Sequence, residues 1–415
     1  MQRRSFLKSS AAAVTAFPYI APSTVLGAND RIQVGFVGVG GRATWLLQHE
    51  DFGAVNIAAV ADCNLEQCYK AARLHPNGDK WHKYSSYRQL FDKEKLDAVF
   101  VETTTHARVL ICFHALQAGL DVYGEKPLTL TVQEGRLLTS AVRHYKRVLQ
   151  TGTQQRSMPI NIYASGLVSS GKIGKIEKVI VCNFTGPKRW TPRPAMPMPE
   201  GLDWDQWCNQ TELRPYHTDL HRRWADWWDY DGGGQPWGVS GWGTHSLDQV
   251  QAALGVSTTG PVEITPAGGE NGKVSLRYEN GTVVSLEQEI INDHQQLGGI
   301  FQGTNGRIQI LRGDFVTDRP ELKRGAPDMT KEGPGEDSFH LANFFDCIKS
   351  RKLPNADVEI GHRSTTVCHI VNICRDLGRT LKWDPQAERF RGDEEANQRL
   401  SRPRRRGFEL PSVGL

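Results

Sequence analysis

The stretch IQVGFVGVGGRA, residues Ile32 to Ala43, decides the fold of this 415-residue chain. Ile32 to Val37 reads as a continuous apolar strand, and the glycines that follow open a helical stretch running through Gln48. Gly38 permits a tight strand-to-helix turn, Gly40 lets the backbone approach a pyrophosphate, and Ala43 allows the helix to pack closely on the strand. A diphosphate would lie on the positive end of the helix that begins near Gly41 and Arg42. Asp62, 24 residues after Gly38 at the end of a second strand (Asn56 to Ala61), is placed to accept hydrogen bonds from ribose hydroxyls. A ribose phosphate would be repelled there, so NAD is expected rather than NADP.

The alternation continues downstream. Helices around Leu65 to Leu74, Tyr87 to Phe91, Ala107 to Ala118 and Thr131 to His144 are interleaved with strands at Ala98 to Val101, Asp121 to Tyr123 and Val148 to Thr151. Strands and helices alternating at this spacing mean parallel βαβ units and an open, doubly wound α/β sheet. A second domain is expected to follow, with a helix near Ile160 to Ser169 and strands at Ile176 to Phe184, Val274 to Tyr278, Thr282 to Ile291 and Arg307 to Leu311. Asn-Gly turns at Asn271, Asn280 and Asn305 make its sheet largely antiparallel, and a helix over Gly361 to Leu377 closes it. The expected division is a leader at 1–28, a dinucleotide-binding Rossmann domain at 29–153, an α+β substrate domain at 154–385 and a tail at 386–415.

The leader, with Arg3-Arg4 before Phe6-Leu7-Lys8, a short apolar run from Ala11 to Ile20 and small residues at Leu26-Gly27-Ala28, has the form of a twin-arginine signal peptide. It implies export of a folded protein, as to a periplasm, without stable membrane insertion. The formal charge is only +4, with no basic stripe and no nucleic-acid motif, so nucleic acid is not an expected partner. The basic run Arg402 to Arg406 is expected to be a solvated tail. The eight cysteines are scattered without CxxC pairs, which points to buried thiols rather than a disulfide frame or zinc site.

Further along stands YGEKPL, Tyr123 to Leu128. With the VGVGGRA turn, ETTTHARVLICFHALQAGLDVYGEKPL, QTGTQQRS and GWGTHSLDQV, it gives the chain a resemblance to the glucose–fructose oxidoreductase, inositol dehydrogenase and rhizopine-catabolism (Gfo/Idh/MocA) family over roughly residues 31 to 385. The resemblance implies that Lys126 reaches the substrate hydroxyl and the cofactor ribose. Beside a positive nicotinamide and partly buried, such a lysine would have its pKa lowered and would hold or relay the hydroxyl proton. The likeness also implies that Glu125 contacts the ribose or positions Lys126, that Thr103 and Thr104 form a nicotinamide-side turn, and that Gln154 sits near the cofactor. His245, with Asp248 in the same D-x-x-x-H-x-x-D pattern, becomes the general acid or base. The first Asp of that pattern is Gly241 here, which speaks against strict inositol dehydrogenase activity. Where relatives read T-P-N-x-x-H, this chain has Thr104, Thr105 and Arg108, leaving Arg108 as a helix-start surface residue or a new anion or sugar contact. The family's open antiparallel sheet commonly supports homo-oligomers.

Eight of the eleven tryptophans fall between Trp190 and Trp242, interleaved with Arg, Asp, His and Tyr. Flat aromatic faces stack on sugar C–H faces while polar neighbours bond the hydroxyls, so Trp190, Tyr216, Trp228 and Asp248 are candidate carbohydrate contacts. A structural plug, or burial against a neighbouring subunit, is the alternative. HTDLH has histidines at i and i+4 but lacks the Glu and third ligand of a zinc site, so no metal is expected. An exported dehydrogenase meets no ready NAD pool, so its cofactor should be bound tightly and recycled within each cycle. Two chemistries meet that requirement: hydride transfer from one sugar to another, and a redox-neutral glycosidase that oxidises, eliminates, adds water and re-reduces. A non-catalytic, NAD-retaining sugar-binding protein is a third reading.

Overall fold

The computed structural model describes residues 31–412 except 54, 183, 234–237, 269–271, 288–296 and 330–336. The leader, Trp237 and the Asn271 turn lie outside the described residues. The first sheet comprises β1 (Ile32–Val37), β2 (Val55–Ala61), β3 (His82–Tyr84), β4 (Ala98–Val101), β5 (Asp121–Gly124) and β6 (Leu149–Thr151). All its strands are parallel, in the order β3-β2-β1-β4-β5-β6. The winding direction reverses between β1 and β4, and a crevice opens at the carboxyl ends of strands at such a point. Continuous apolar runs form these strands because both faces are covered. Val34, Phe36 and Phe100 pack with helices Gly41–His49 and Leu65–Arg73 on one side. Val99 and Val101 pack with helices Thr105–Gln117 and Val132–His144 on the other. Edge strand β3, His-Lys-Tyr, was not expected; it carries too little apolar residue to read as a strand.

The second sheet contains β7 (Ile176–Cys182), β8 (Glu263–Ala267), β9 (Lys273–Arg277), β10 (Val283–Glu287), β11 (Gly299–Gly303), β12 (Gly306–Leu311), β13 (Asp314–Thr317), β14 (Leu381–Asp384) and β15 (Arg389–Phe390). Its order is β13-β12-β11-β7-β10-β9-β8-β14-β15, antiparallel apart from the parallel pair β7 and β10. Helices Pro159–Ser169, Trp242–Ala253 and Val358–Leu377 bury their apolar sides against one face of it, with Val179, Leu276, Leu286 and Ile308 at the centre. The fold is therefore a Rossmann sheet followed by a mostly antiparallel α/β domain.

The chain does not respect the domain limits drawn from the sequence. Helix Ser338–Ser350 returns to the first sheet, where Leu341, Phe344 and Phe345 join Phe36 and Phe100 in one core. Residues 386–400 extend the second domain through β15 and helix Glu394–Gln398 rather than forming a tail. Between the domains, Arg136 forks onto Glu359 (2.7 Å) and Glu388 (2.8 Å), and His362 Nε2 lies 2.7 Å from the same Glu388. Of the arginines in the basic run, only Arg406 is exposed as expected: Arg402 stacks on Trp228, Arg404 pairs with Glu134 and Arg405 pairs with Asp205. None of the eight cysteines is in a disulfide, six of them are buried, and burial pushes the thiol of Cys112 up to about 12. Among the described residues no helix is long and apolar enough to cross a membrane.

Candidate active site

The crevice at the switch point is a cavity of about 410 Å³. Its floor is the Gly38 turn. Gly38 has φ +82, and a Cβ there would stand 2.8 Å from the Thr103 side chain and 2.9 Å from its backbone nitrogen, so only glycine fits. Asp62 supports the turn: its Oδ2 accepts from Val39 N and its Oδ1 from Asn64 N, each at 2.9 Å. Oδ1 also accepts from the Cys63 thiol at 3.8 Å, which leaves Oδ2 with a lone pair for a hydroxyl. Gly40 caps helix Gly41–His49 without any side-chain bond, and a Cβ on Gly40 or Gly41 would meet nothing within 4 Å. Unsatisfied helix N–H groups facing open space are what a diphosphate requires, so the residues present fit a dinucleotide.

At the other end of the cavity, β5 delivers Glu125 and Lys126, joined to Pro127 by a cis peptide. Arg42 Nε donates to Glu125 Oε1 (2.9 Å) while its other arm holds Asp337 (2.8 Å), and Gln154 Nε2 approaches the same Oε1 at 3.4 Å. Arg42 and Gln154 thus converge on Glu125, which accepts from the Lys126 backbone N–H at 2.9 Å. Lys126 Nζ reaches across the domains to the Gly241 carbonyl, 3.4 Å away. Burial lowers the pKa of this ammonium, and the charge of Glu125 opposes that shift. Thr103 and Thr104 line the cavity beside it.

Arg108 is not a surface residue. It is buried yet lines the cavity, and its guanidinium donates to the carbonyls of Thr103 and Pro127, bracing the two loops that flank the cleft, while its Nε makes no hydrogen bond. His245 lies in the first turn of helix Trp242–Ala253, buried, with Nδ1 unbonded and outside the cavity lining. Burial and then the charge of Lys126 hold its pKa well below the usual value, so the imidazole is neutral.

The Trp-rich segment divides in two. Trp207, His221 and Trp224, with Gln206 and Asn209, line the cavity. The aromatic candidates named from the sequence do not: Trp190 packs edge-on against Trp227 (5.0 Å), Tyr216 against Trp204 (5.0 Å), and Trp228 sits between Arg189 and Arg402. Composition alone offered no means of choosing among eight tryptophans. Asp248 is likewise withdrawn from the cavity, gripped by Arg156 (2.8 Å) and Ser364 Oγ (2.6 Å). His217 caps its own short helix by accepting from Asp219 N, and among the described residues no three ligands are grouped for a metal.

Two carboxyl groups were missed. Glu102, directly after β4, lines the cavity with neither oxygen hydrogen-bonded, and burial raises its pKa well above the usual carboxyl value. Asp231 is fully buried between Thr105 Oγ1 and Ser240 Oγ, 2.8 Å from each. It ties the start of helix Thr105–Gln117 to the residue before Gly241. Glu102 opens the ETTTHARV segment without a role implied for it there, and Asp231 stands in no motif, so no sequence signal marks either acid as part of the site.

Residues 32–153 match the family model described as the NAD-binding Rossmann fold of the GFO_IDH_MocA oxidoreductases, and residues 161–410 match the C-terminal alpha/beta domain of that family. Among curated relatives, an inositol 2-dehydrogenase of Salmonella typhimurium is 23% identical over 35% of this chain and 43% of its own length. A glycosyl hydrolase family 109 protein of Shewanella pealeana is 25% identical over 38% of each. The chain thus spans less than half the length of the curated relatives it matches. Solved structures share the fold over 85% of the chain. The WlbA dehydrogenase of Bordetella pertussis, in complex with NADH and UDP-GlcNAcA, superposes with a TM-score of 0.59 at 19% identity, covering 99% of its own chain. The aldose-aldose oxidoreductase of Caulobacter crescentus, complexed with glycerol, superposes at 0.58 and 19% identity, again covering 99%. With both domains matched in order, the chain belongs to the Gfo/Idh/MocA oxidoreductase family.

Proposed function

We propose that the protein is an NAD-dependent sugar oxidoreductase whose cofactor stays bound and is recycled by a second carbohydrate. One observation carries this reading: the dinucleotide turn, Lys126 and the aromatic wall of Trp207 and Trp224 line a single cavity. The bound dinucleotide would supply a hydride acceptor and donor at the Lys126 end. Lys126 takes the hydroxyl proton as the sugar carbon gives up its hydride, and returns it when a second sugar's carbonyl is reduced; its lowered pKa suits both directions. Glu125, fixed by Arg42 and Gln154, holds Lys126 in place. His245, buried outside the cavity lining and held from protonation by burial and the charge of Lys126, leaves the proton transfer to Lys126. The acidic Asp62 favours NAD over NADP. Twin-arginine export accounts for the leader and for retaining the cofactor.

The redox-neutral glycosidase is a second reading, favoured by the similarity to the family 109 glycosyl hydrolase protein. One experiment separates them. Protein purified without added nucleotide is mixed with free sugars and with glycosides, and reduced-nicotinamide absorbance is followed with the products. Reduced cofactor that persists until a second sugar is added supports the oxidoreductase. Glycoside cleavage with no net redox change supports the glycosidase.

A further inference from the structure

The cavity has a wall that does not come from the Rossmann domain. Residues 202–210 of the Trp-rich segment lie along its rim: Leu202 pairs with Asn64, Asp203 N donates to the Cys63 carbonyl at 2.8 Å, and His106 Nε2 lies 2.7 Å from the Trp207 carbonyl. The C-terminal segment crosses over this rim. Arg405 N donates to the Gln210 carbonyl (2.9 Å), and its guanidinium bonds the carbonyls of Asn209 (3.1 Å) and Asp205 (2.9 Å). Arg404 anchors the same segment to the first domain through Glu134, on helix Val132–His144, and Arg402 stacks on Trp228 at 4.9 Å. Just beyond these anchors Phe408, its ring 4.4 Å from the Arg405 guanidinium and its carbonyl accepting from Arg404 Nε at 2.8 Å, joins the cavity lining with Tyr87, Arg88 and Ile111, and Arg404 lies near enough to the Tyr87 hydroxyl for its charge to act on it. That is the Asp62 end, because Asp62 N donates to the carbonyl of Tyr84, three residues before Tyr87.

We propose that the C-terminal segment Arg402–Phe408 is a latch that retains the dinucleotide, with Phe408 walling its adenosine end and Arg405 fastening the Trp-rich rim over it. The inference rests on the reading that the cleft holds a resident dinucleotide, and it adds which residues make it resident. The nucleotide leaves only when Arg405 releases residues 205–210 or Phe408 swings out. A flat apolar ring against the base, excluded from water, strengthens retention without touching the reacting end.

The test uses the full-length protein loaded with NADH, whose fluorescence is excited through the tryptophans that line the cavity. Excess NAD is added and the loss of transferred fluorescence gives the dissociation rate. Phe408→Ala is expected to dissociate at least ten-fold faster than the parent, Arg405→Ala to be accelerated as well, and Phe408→Trp to restore slow release. Thermal melts confirm that the variants are folded, and a chain ending at Leu400 provides a second route if one is not. Slow release from the parent with equally slow release from both alanine variants would overturn the latch and leave the resident-cofactor reading standing. Rapid exchange in the parent itself would overturn both.

Discussion

Replacing Asp231 tests whether the two domains are joined through the active site itself. Its carboxylate is fully buried, with Thr105 Oγ1 on one oxygen and Ser240 Oγ on the other, each at 2.8 Å. Asp231→Ala leaves two buried hydroxyls unpaired, at about 1–3 kcal/mol each, and opens a small cavity. The expected loss is about 3–5 kcal/mol in urea unfolding. Asp231→Asn keeps the shape, accepts from one hydroxyl and donates to the other, and is expected to cost only about 1 kcal/mol. The Asn variant also removes a negative charge that holds up the Lys126 pKa. The limb of the pH–rate profile that Lys126 governs should therefore move to lower pH, whichever protonation state is active. An alanine variant within about 0.5 kcal/mol of the parent, the range of unremarkable surface changes, would refute the structural half. An unmoved limb in the Asn variant would refute the electrostatic half.

Lys126→Met should cut turnover by about 10²–10⁴, the range for one positioned proton-transfer group, while bound nucleotide measured after denaturation stays unchanged. Gly38→Ala forces a side chain into φ +82 against Thr103, costing at least about 1–2 kcal/mol from backbone conformation alone; a lowered melting temperature and loss of co-purified nucleotide are expected. Burial raises the Glu359 pKa, but hydrogen bonds from Arg136 and Arg363 outweigh it and hold the carboxyl at about 2 instead of 4.5. Because the folded value is the depressed one, this stabilisation is present above about 4.5 and lost as pH falls toward about 2. Such a shift corresponds to about 3 kcal/mol, reduced to about 1–2 kcal/mol by solvent because Glu359 is 22% and its partner Arg136 38% exposed. Glu359→Gln should flatten the pH dependence of stability in that window.

Much of the site was legible because its chemistry is local in sequence. The glycine turn, Asp62 and the Glu125-Lys126 pair each sit at the end of a strand, and a parallel sheet brings such ends together without further information. The proton-transfer candidates were harder to judge. Lys126 faces the cavity, whereas His245 lies buried behind it. The sugar-contact candidates Trp190, Tyr216, Trp228 and Asp248 were drawn from a composition signal, which names a segment but not the side chains within it. Trp207 and Trp224 face inward because of where residues 202–210 dock, and that docking depends on Cys63, Asn64 and His106, more than ninety residues away.

The Rossmann unit, its dinucleotide turn and the antiparallel character of the second sheet can be read along the chain, since strand and helix periods and turn residues are properties of neighbouring positions. The rest depends on contacts between distant segments. Helix Ser338–Ser350 completes the first core, Asp231 joins the domains, and a basic run that reads as solvated fastens the segment whose Phe408 lines the cavity. Arginines such as Arg402, Arg404 and Arg405 look alike in a sequence whether they face water, a carboxylate or an indole. What separates them is the set of distant groups the fold places within reach, and no local pattern encodes it.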